Sequence, residues 1–235
     1  ATLFGEVKDY DDIEHRLINP PTCVRDHLYT LMNRATYQPD LNDEKGFLIE
    51  GSAPVGDELY VTGGASEARN HNSDLRHWEL FGQATYTIGE ATIGAAGAMS
   101  REYLFGAGGA TGKFTEHLIG AIDGSYTMSN EHAVEATLEA QVVEEPSGLS
   151  SEDFLLAAAW YAEYDLIFTA SFEATTSESE DRSRWTMVSV KRAFPGDLEV
   201  ELGAGTERGG KKCVGGTCFF EPEFEGVRLR FNKFF

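Results

Sequence analysis

The sequence predicts an all-β fold: an antiparallel, up-and-down transmembrane β-barrel of about 12 strands. Three observations carry this reading. Apolar and polar residues alternate with period two over many segments of strand length. The connections between those segments alternate as well, a short turn following a long polar link. The composition is rich in glycine and aromatics, with 25 Gly, 15 Phe and 9 Tyr, which suits curved sheets better than helical bundles.

Taken in order, strands are expected to begin near residues 2, 46, 58, 77, 91, 115, 132, 153, 165, 184, 198 and 223. The first, Thr2 to Tyr10, is polar on both faces. The segment from Asn19 to Gly46 differs from the rest: after Pro20 and Pro21, the residues Leu28, Leu31, Met32 and Ala35 give a weak helical period. It is too long and too apolar for a solvated link, so it reads as a structured insert folded into the barrel mouth. From His77 to Ile88, the residues Trp78, Leu80, Ala84, Tyr86 and Ile88 oppose His77, Glu79, Gln83, Thr85 and Thr87. Further on, Leu118, Ile122, Tyr126 and Met128 oppose His117, Asp123, Ser125 and Thr127. Val134, Ala136, Leu138, Ala140 and Val142 oppose Glu135, Thr137, Glu139 and Gln141. Phe154, Leu156, Ala158, Trp160, Ala162 and Tyr164 share one face. Leu166, Phe168, Ala170, Phe172 and Ala174 oppose Thr169, Ser171, Glu173 and Thr175, and Val200, Leu202 and Ala204 oppose Glu199 and Glu201. In the segment from Arg184 to Arg192, Val188 and Val190 oppose Trp185 and Met187, which predicts a bulge or burial on both faces.

The turns are Gly56-Asp57, Gly89-Glu90, Ser129 to Glu131, Tyr164-Asp165 and Pro195 to Asp197. The long links are Glu67 to Arg76, Phe105 to Thr115, Glu144 to Glu152, Thr175 to Ser183 and Glu207 to Glu221. Short turns on one side and long loops on the other are the pattern of bacterial outer-membrane barrels, with turns in the periplasm. An even strand number then places both ends of the chain on the turn side. Trp78, Tyr86, Tyr103, Tyr126, Trp160, Tyr164, Trp185 and Phe194 gather at strand ends, as interfacial aromatic girdles do.

The 235 residues read as a single barrel domain, 1–235, with the 19–46 insert inside it. No apolar stretch reaches the ~18 residues of a membrane helix, but membrane strands need only about 10, apolar on one face. Ala1 leads directly into a strand-like segment with no signal peptide, so the numbering starts after cleavage or inside a longer chain. The net charge of −20 argues against nucleic-acid binding.

If the apolar faces meet outer-membrane lipid, the polar faces line a lumen. The residues expected to set its selectivity are Glu79, Asp123, Glu135, Glu139, Glu173, Glu199 and Glu201, with Arg228 and Arg230 facing them from the last strand. Glu50, Glu58, His77, His117 and Glu163 join the same list. Acidic groups outnumber basic ones, so such a lumen favours cations. Cys213 and Cys218 sit in a short glycine-rich loop, and a disulfide is expected there; a zinc site lacks a second ligand pair. Cys23 is left over. No catalytic group, metal site or cofactor is expected. His71 to Asp74 carries triad residue types but as sequence neighbours in a loop. Gly106 to Lys113 fails the spacing of a phosphate loop, with Ala107 and Phe114 in the wrong places. Glu178 to Asp181 reads as a solvated acidic loop. Two function classes stay open: a porin-like channel with an acidic, cation-favouring lumen, and a structural or scaffold barrel that holds envelope partners without an open pore.

The final stretch, Val227 to Phe235, alternates and ends on Phe. It resembles the terminal strand of bacterial outer-membrane proteins, whose final aromatic is read by the barrel-assembly machinery; Phe231 and Phe235 would carry that signal, and Lys233 departs from the usual apolar alternation. Together with the 19–46 segment and the Cys213–Cys218 loop, the termini look like a group of uncharacterised Gram-negative envelope proteins. That resemblance implies an outer-membrane location, and other envelope proteins as partners through residues 19–46 and the loops. It also implies that the chain is the carboxyl-terminal part of a larger barrel.

Overall fold

In the computed structural model, the structure describes residues 1–10, 29–32, 44–69, 76–103, 114–128, 132–163, 165–196, 198–214 and 217–233; the side chains of 8–10, 44, 103 and 211–221 are not among those described. The strands are β1 (Thr2–Tyr10), β2 (Glu44–Val55), β3 (Leu59–Arg69), β4 (Arg76–Ile88), β5 (Ala91–Tyr103), β6 (Phe114–Met128), β7 (His132–Glu144), β8 (Ser150–Ala162), β9 (Leu166–Thr175), β10 (Arg184–Phe194), β11 (Leu198–Glu207), β12 (Gly210–Val214), β13 (Thr217–Glu221) and β14 (Phe224–Lys233). Twelve of them form one antiparallel up-and-down sheet in the order β1 to β11, then β14; β12 and β13 form a separate two-stranded hairpin. The predicted strand number is therefore right for the main sheet, and the link from Glu207 to Glu221, read as a loop, is itself a hairpin. The sheet is not closed: β1 and β14 each pair with one neighbour.

Turn chemistry fits the chain direction. Gly56, Gly89 and Gly196 take φ of 75°, 58° and 81°, and Asp165 takes 55°, as tight hairpin turns demand. At this turn end three strand pairs step in one sense. Leu59 stands opposite Tyr86 while β4 runs on to Ile88; Ala91 stands opposite Tyr126 while β6 runs on to Met128; Leu166 stands opposite Arg192 while β10 runs on to Phe194. A consistent stagger of this kind is what tilted strands and barrel curvature require.

The two faces are unlike. On the outward face, Ile88, Ala91, Tyr126, Val134, Trp160, Phe168, Val190, Leu202 and Leu229 stand side by side across nine strands with no polar residue among them. The adjacent row, Tyr86, Ile93, Gly124, Ala136, Ala158, Ala170, Val188, Ala204 and Val227, is equally apolar. Most of these side chains are exposed, with Ile88 at 54% and Val227 at 73%, and the rest are half-buried. On the concave face the buried residues are mainly polar: Thr62, Ser66, His77, Glu79, Ser100, Glu102, Thr115, His117, Glu139, Gln141, Asp153, Glu173 and Thr175.

Three expectations need correction. β1 is not polar on both faces: Leu3 and Val7 point outward and are exposed, because the β1–β2 register puts Thr2, Phe4 and Glu6 inward with Ser52, Glu50 and Leu48. β10 carries no bulge, since its ladder to β9 runs unbroken from Arg184↔Ala174 to Arg192↔Leu166. Nor are both faces buried: Trp185 and Met187 are buried inward while Val188 is 51% exposed outward, and Trp185, 2% exposed, lies inside rather than in a girdle. The other girdle residues among the described side chains, Trp78, Tyr86, Tyr126, Trp160 and Phe194, take the outward face, where Trp160 stacks on Phe168 with ring centroids 5.2 Å apart. Tyr103 and Tyr164 lie outside the described side chains.

Candidate functional site

The concave wall carries the polar chemistry. Because side chains alternate strictly along a strand, register alone assigns each to a wall. Glu79, Asp123, Glu135, Glu139, Glu173, Glu199, Glu201, Arg228 and Arg230 all share the concave face, as do Glu50, His77 and His117. Glu58 and Glu163 do not line the wall; they sit in turns, where Glu58 accepts the Tyr86 hydroxyl.

Midway along the wall lies a turn from the 19–46 insert. Tyr29, Leu31 and Met32 are buried with Phe81, Ala98, Ile119, Ala121 and Leu155; Leu31 is 0% exposed. Small residues, Ala96 and Ala98 on β5 and Ala121 on β6, line part of the recess that the turn fills, beside the large Phe81, Ile119 and Leu155. Two carboxylates fasten it. Glu139 accepts the backbone amides of Thr30 at 3.0 Å and Leu31 at 2.6 Å through its two oxygens. Asp123 accepts the Tyr29 hydroxyl. The opposite residue on β5 must be Gly94, because a Cβ there would collide with the Asp123 carboxylate. Glu139, expected on a wet surface, is thus 2% exposed and committed to the turn. The described part of the insert is a turn without a helix, and the rest lies outside the described residues.

Burial pushes the Tyr29 phenol above its ordinary range, and the hydrogen bond to Asp123 and the charges of Asp123 and Glu139 push it the same way. The protonated phenol makes the bond. Its contribution is whole below the ordinary value of about 10 and is lost as the pH climbs from there toward the raised value. In a spectrophotometric titration, a late-ionising tyrosine is expected that Tyr29→Phe removes; ionisation of every tyrosine near pH ~10 would contradict the contact.

Toward the loop end, Glu102 is 0% exposed and sits between two histidines: His77 Nδ1 is 3.7 Å from one oxygen and His117 Nε2 3.7 Å from the other. Gln141 lies 2.7 Å from the far ring nitrogen of His117. β4, β5, β6 and β7 each supply one member: His77 stands directly opposite Glu102, and His117 and Gln141 follow one diagonal step along the ladder each. Sequence reading placed His77 and His117 on this face but missed Glu102, whose inward parity follows from Ser100 and Ala98 on the same strand.

A second group surrounds Arg208, which follows β11. Its guanidinium meets Asp153 at 2.9 Å, Glu173 at 3.0 Å and Glu180 at 2.9 Å, and packs 5.1 Å from the Trp185 ring centroid. Burial alone would lower the Arg208 pKa; Asp153, Glu173 and Glu180 outweigh that and hold it above the ordinary range. Glu180 therefore does not belong to a purely solvated loop. Nearby, Arg182 bridges Glu223 and Glu225, and Trp185 Nε1 donates to Glu223 at 3.0 Å. Arg228 pairs at 2.6 Å with Glu207 on the adjacent strand. Arg230 stands opposite Glu201, Lys191 lies 3.8 Å from Glu199, and Tyr161 donates to Glu135 at 2.8 Å.

Among the described residues, no group of three His, Cys, Asp or Glu side chains is arranged to hold a metal ion. The segments His71 to Asp74 and Gly106 to Lys113, and Cys23 and Phe235, lie outside the described residues. Cys213 and Cys218 stand directly opposite each other in the β12–β13 register, with their side chains outside the described set.

Fold and wall together define a class: an up-and-down antiparallel β protein with one exposed apolar face and one largely buried polar face. The chain belongs to a family of unknown function, DUF6029, whose model matches residues 102–235, more than half of it. The matched part holds Asp123, Glu139 and the Arg208 group; Tyr29 to Met32 lie before it. No curated protein and no solved structure matches the chain.

Proposed function

We propose that this protein is a bacterial outer-membrane β-barrel, closed by pairing of β1 with β14, with a cation-favouring interior. The carrying observation is the inversion of its two faces: polar residues buried, large apolar ones exposed in rows across nine strands. In water such a surface far exceeds what a monomer tolerates. Lipid chains fit it. The outward side of β6 runs from Leu118 through Gly120, Ile122, Gly124 and Tyr126 to Met128 without a polar residue. At ~3.3 Å per residue this is roughly 33 Å along the strand, or about 25 Å along the axis at a tilt of ~40°, the height of an outer-membrane apolar band. Closure is supported by the even strand number, the antiparallel sense of β1 to β14 and the one-directional stagger. The exposed Phe231 on the outward side of β14 suits recognition by the assembly machinery.

The long loops should face outward. Cysteines at Ser147 and Ser179 are expected to label on intact cells, and cysteines at Asp57 and Glu90 are not. Asp57 and Glu90 are chosen over Gly56 and Gly89, whose left-handed backbone disfavours a side chain. The reverse pattern would overturn the orientation, and labelling of all four would overturn the membrane reading.

A second reading, a scaffold barrel without an open pore, is favoured by one observation: the Tyr29–Met32 turn fills the interior at mid-height. On either reading, we expect Cys213 and Cys218 to be oxidised to a disulfide. Directly opposed strand residues lie ~4.5–5.5 Å apart at Cα, inside the range of a disulfide. The closed loop is short, so the gain is modest, on the order of 2 kcal/mol. Mass spectrometry of unreduced peptides should show the linked pair, and two free thiols would refute it.

A further inference from the structure

We infer that the Tyr29–Met32 turn is a latch that keeps the interior shut, that Glu139 is its principal catch, and that releasing it opens a path for cations. The inference rests on the membrane reading above and joins its two alternatives as closed and open states of one barrel.

The turn is no part of the sheet ladder. It is held where it lies by side-chain contacts with strands far away in sequence: two successive amides on Glu139 of β7, one phenol on Asp123 of β6, and the apolar contacts of Leu31 and Met32. The wall beneath does not depend on it for pairing, since β4 to β8 are joined by continuous ladders. The turn's Tyr29, Leu31 and Met32 are bulkier than Ala96, Ala98 and Ala121, which line part of the recess beside Phe81, Ile119 and Leu155, so displacing the turn leaves space next to these alanines. Twelve strands enclose more than the eight whose side chains just fill a barrel. Two carboxylates now spent on the turn would then join Glu135 on a water-facing wall. A lumen of that charge conducts cations in preference to anions.

Glu139→Gln tests the catch. Glutamine keeps the size but turns one acceptor into a donor, which faces a backbone amide. Hydrogen bonds to a charged acceptor are worth enough that losing them shifts such an equilibrium by roughly ten-fold or more. A second variant, Leu31→Ala with Met32→Ala, weakens the latch from the turn side and leaves the strands untouched. Glu90→Gln, in the β4–β5 hairpin turn and away from both the latch and the polar wall, is the charge control. Full-length proteins are reconstituted in planar bilayers, with insertion measured separately by protease protection in vesicles. Wild type and Glu90→Gln are expected to be nearly silent. The two latch variants should show at least about ten-fold more current at equal inserted protein, with a reversal potential on the cation side in a KCl gradient. If all four insert and conduct alike, or if both latch variants insert and stay silent, the latch is wrong. Current with anion preference would overturn the charge assignment. Failure of every protein to insert would instead remove the membrane reading.

Discussion

Replacing Leu138 or Leu156 by Arg is expected to destabilise the membrane-inserted protein by about 2–4 kcal/mol per change. The two residues are neighbours on β7 and β8, in the outward row that also holds Ile122 and Phe172. Both are exposed, so in water the substitutions would remove little packing and add a well-hydrated charge. Surface changes of that kind stay within about ±0.5 kcal/mol. In a bilayer the same positions lie near the middle of the apolar band, where a guanidinium loses its hydration. Thr169→Arg on β9 is the matched control, because Thr169 is exposed on the concave side, bonded to Ser189 at 2.7 Å. Urea titration of protein folded into lipid vesicles gives the three values. A large cost at Leu138 and Leu156 with a small one at Thr169 is the expected result. Equal, small costs at all three would mean that water covers the convex face, and the outer-membrane proposal would fail.

How much of this was readable from the chain depends on the range of the information. Wall assignment is local: period two fixes the relative side of Glu135, Glu139 and Leu138 within a few residues, so every central lumen candidate fell on one face. Turns are local too, and Gly89 and Gly196 announced theirs. Trp185 was misjudged because β10 is apolar on both sides, so alternation offers no choice between them. The β12–β13 hairpin was missed because two five-residue strands around Gly215 and Gly216 look like a polar loop. The remaining features are set by contacts across the sheet. Glu102 becomes a bridge between His77 and His117 only once register sets His77 opposite it and His117 one diagonal step away. Tyr29 and Glu139 are more than a hundred residues apart, and nothing near either names the other. One signal was available: inward-facing Gly94, Ala96, Ala98 and Ala121 on two adjacent strands leave a hole that something must fill or water must enter.

Arg208 illustrates the same limit and gives the second large effect. It lies in what reads as a loop, yet it returns over the wall to neutralise Asp153 of β8 and Glu173 of β9, both largely buried, and Glu180 of the β9–β10 connection. Arg208→Ala removes the cation and leaves the two buried carboxylates facing each other. Breaking a buried pair from one side costs about 3–5 kcal/mol, because the buried charges lose this cation without regaining water. The lost stacking on Trp185 adds to that. The sign with pH is definite. The guanidinium pKa is raised on folding, so its contribution is fully present below the ordinary arginine range and fades only above it. The loss on mutation should therefore be much the same from about pH 6 to about pH 9. Adding Asp153→Asn and Glu173→Gln to Arg208→Ala should recover more than half of the loss, since neutral amides tolerate the site without a cation. Denaturant titration of the single and triple variants decides the matter, and it does so whether the convex face meets lipid or detergent. A single-variant loss below ~1 kcal/mol, in the range of a surface pair, would show that water reaches these carboxylates and that the loop holding Arg208 is not seated on the wall.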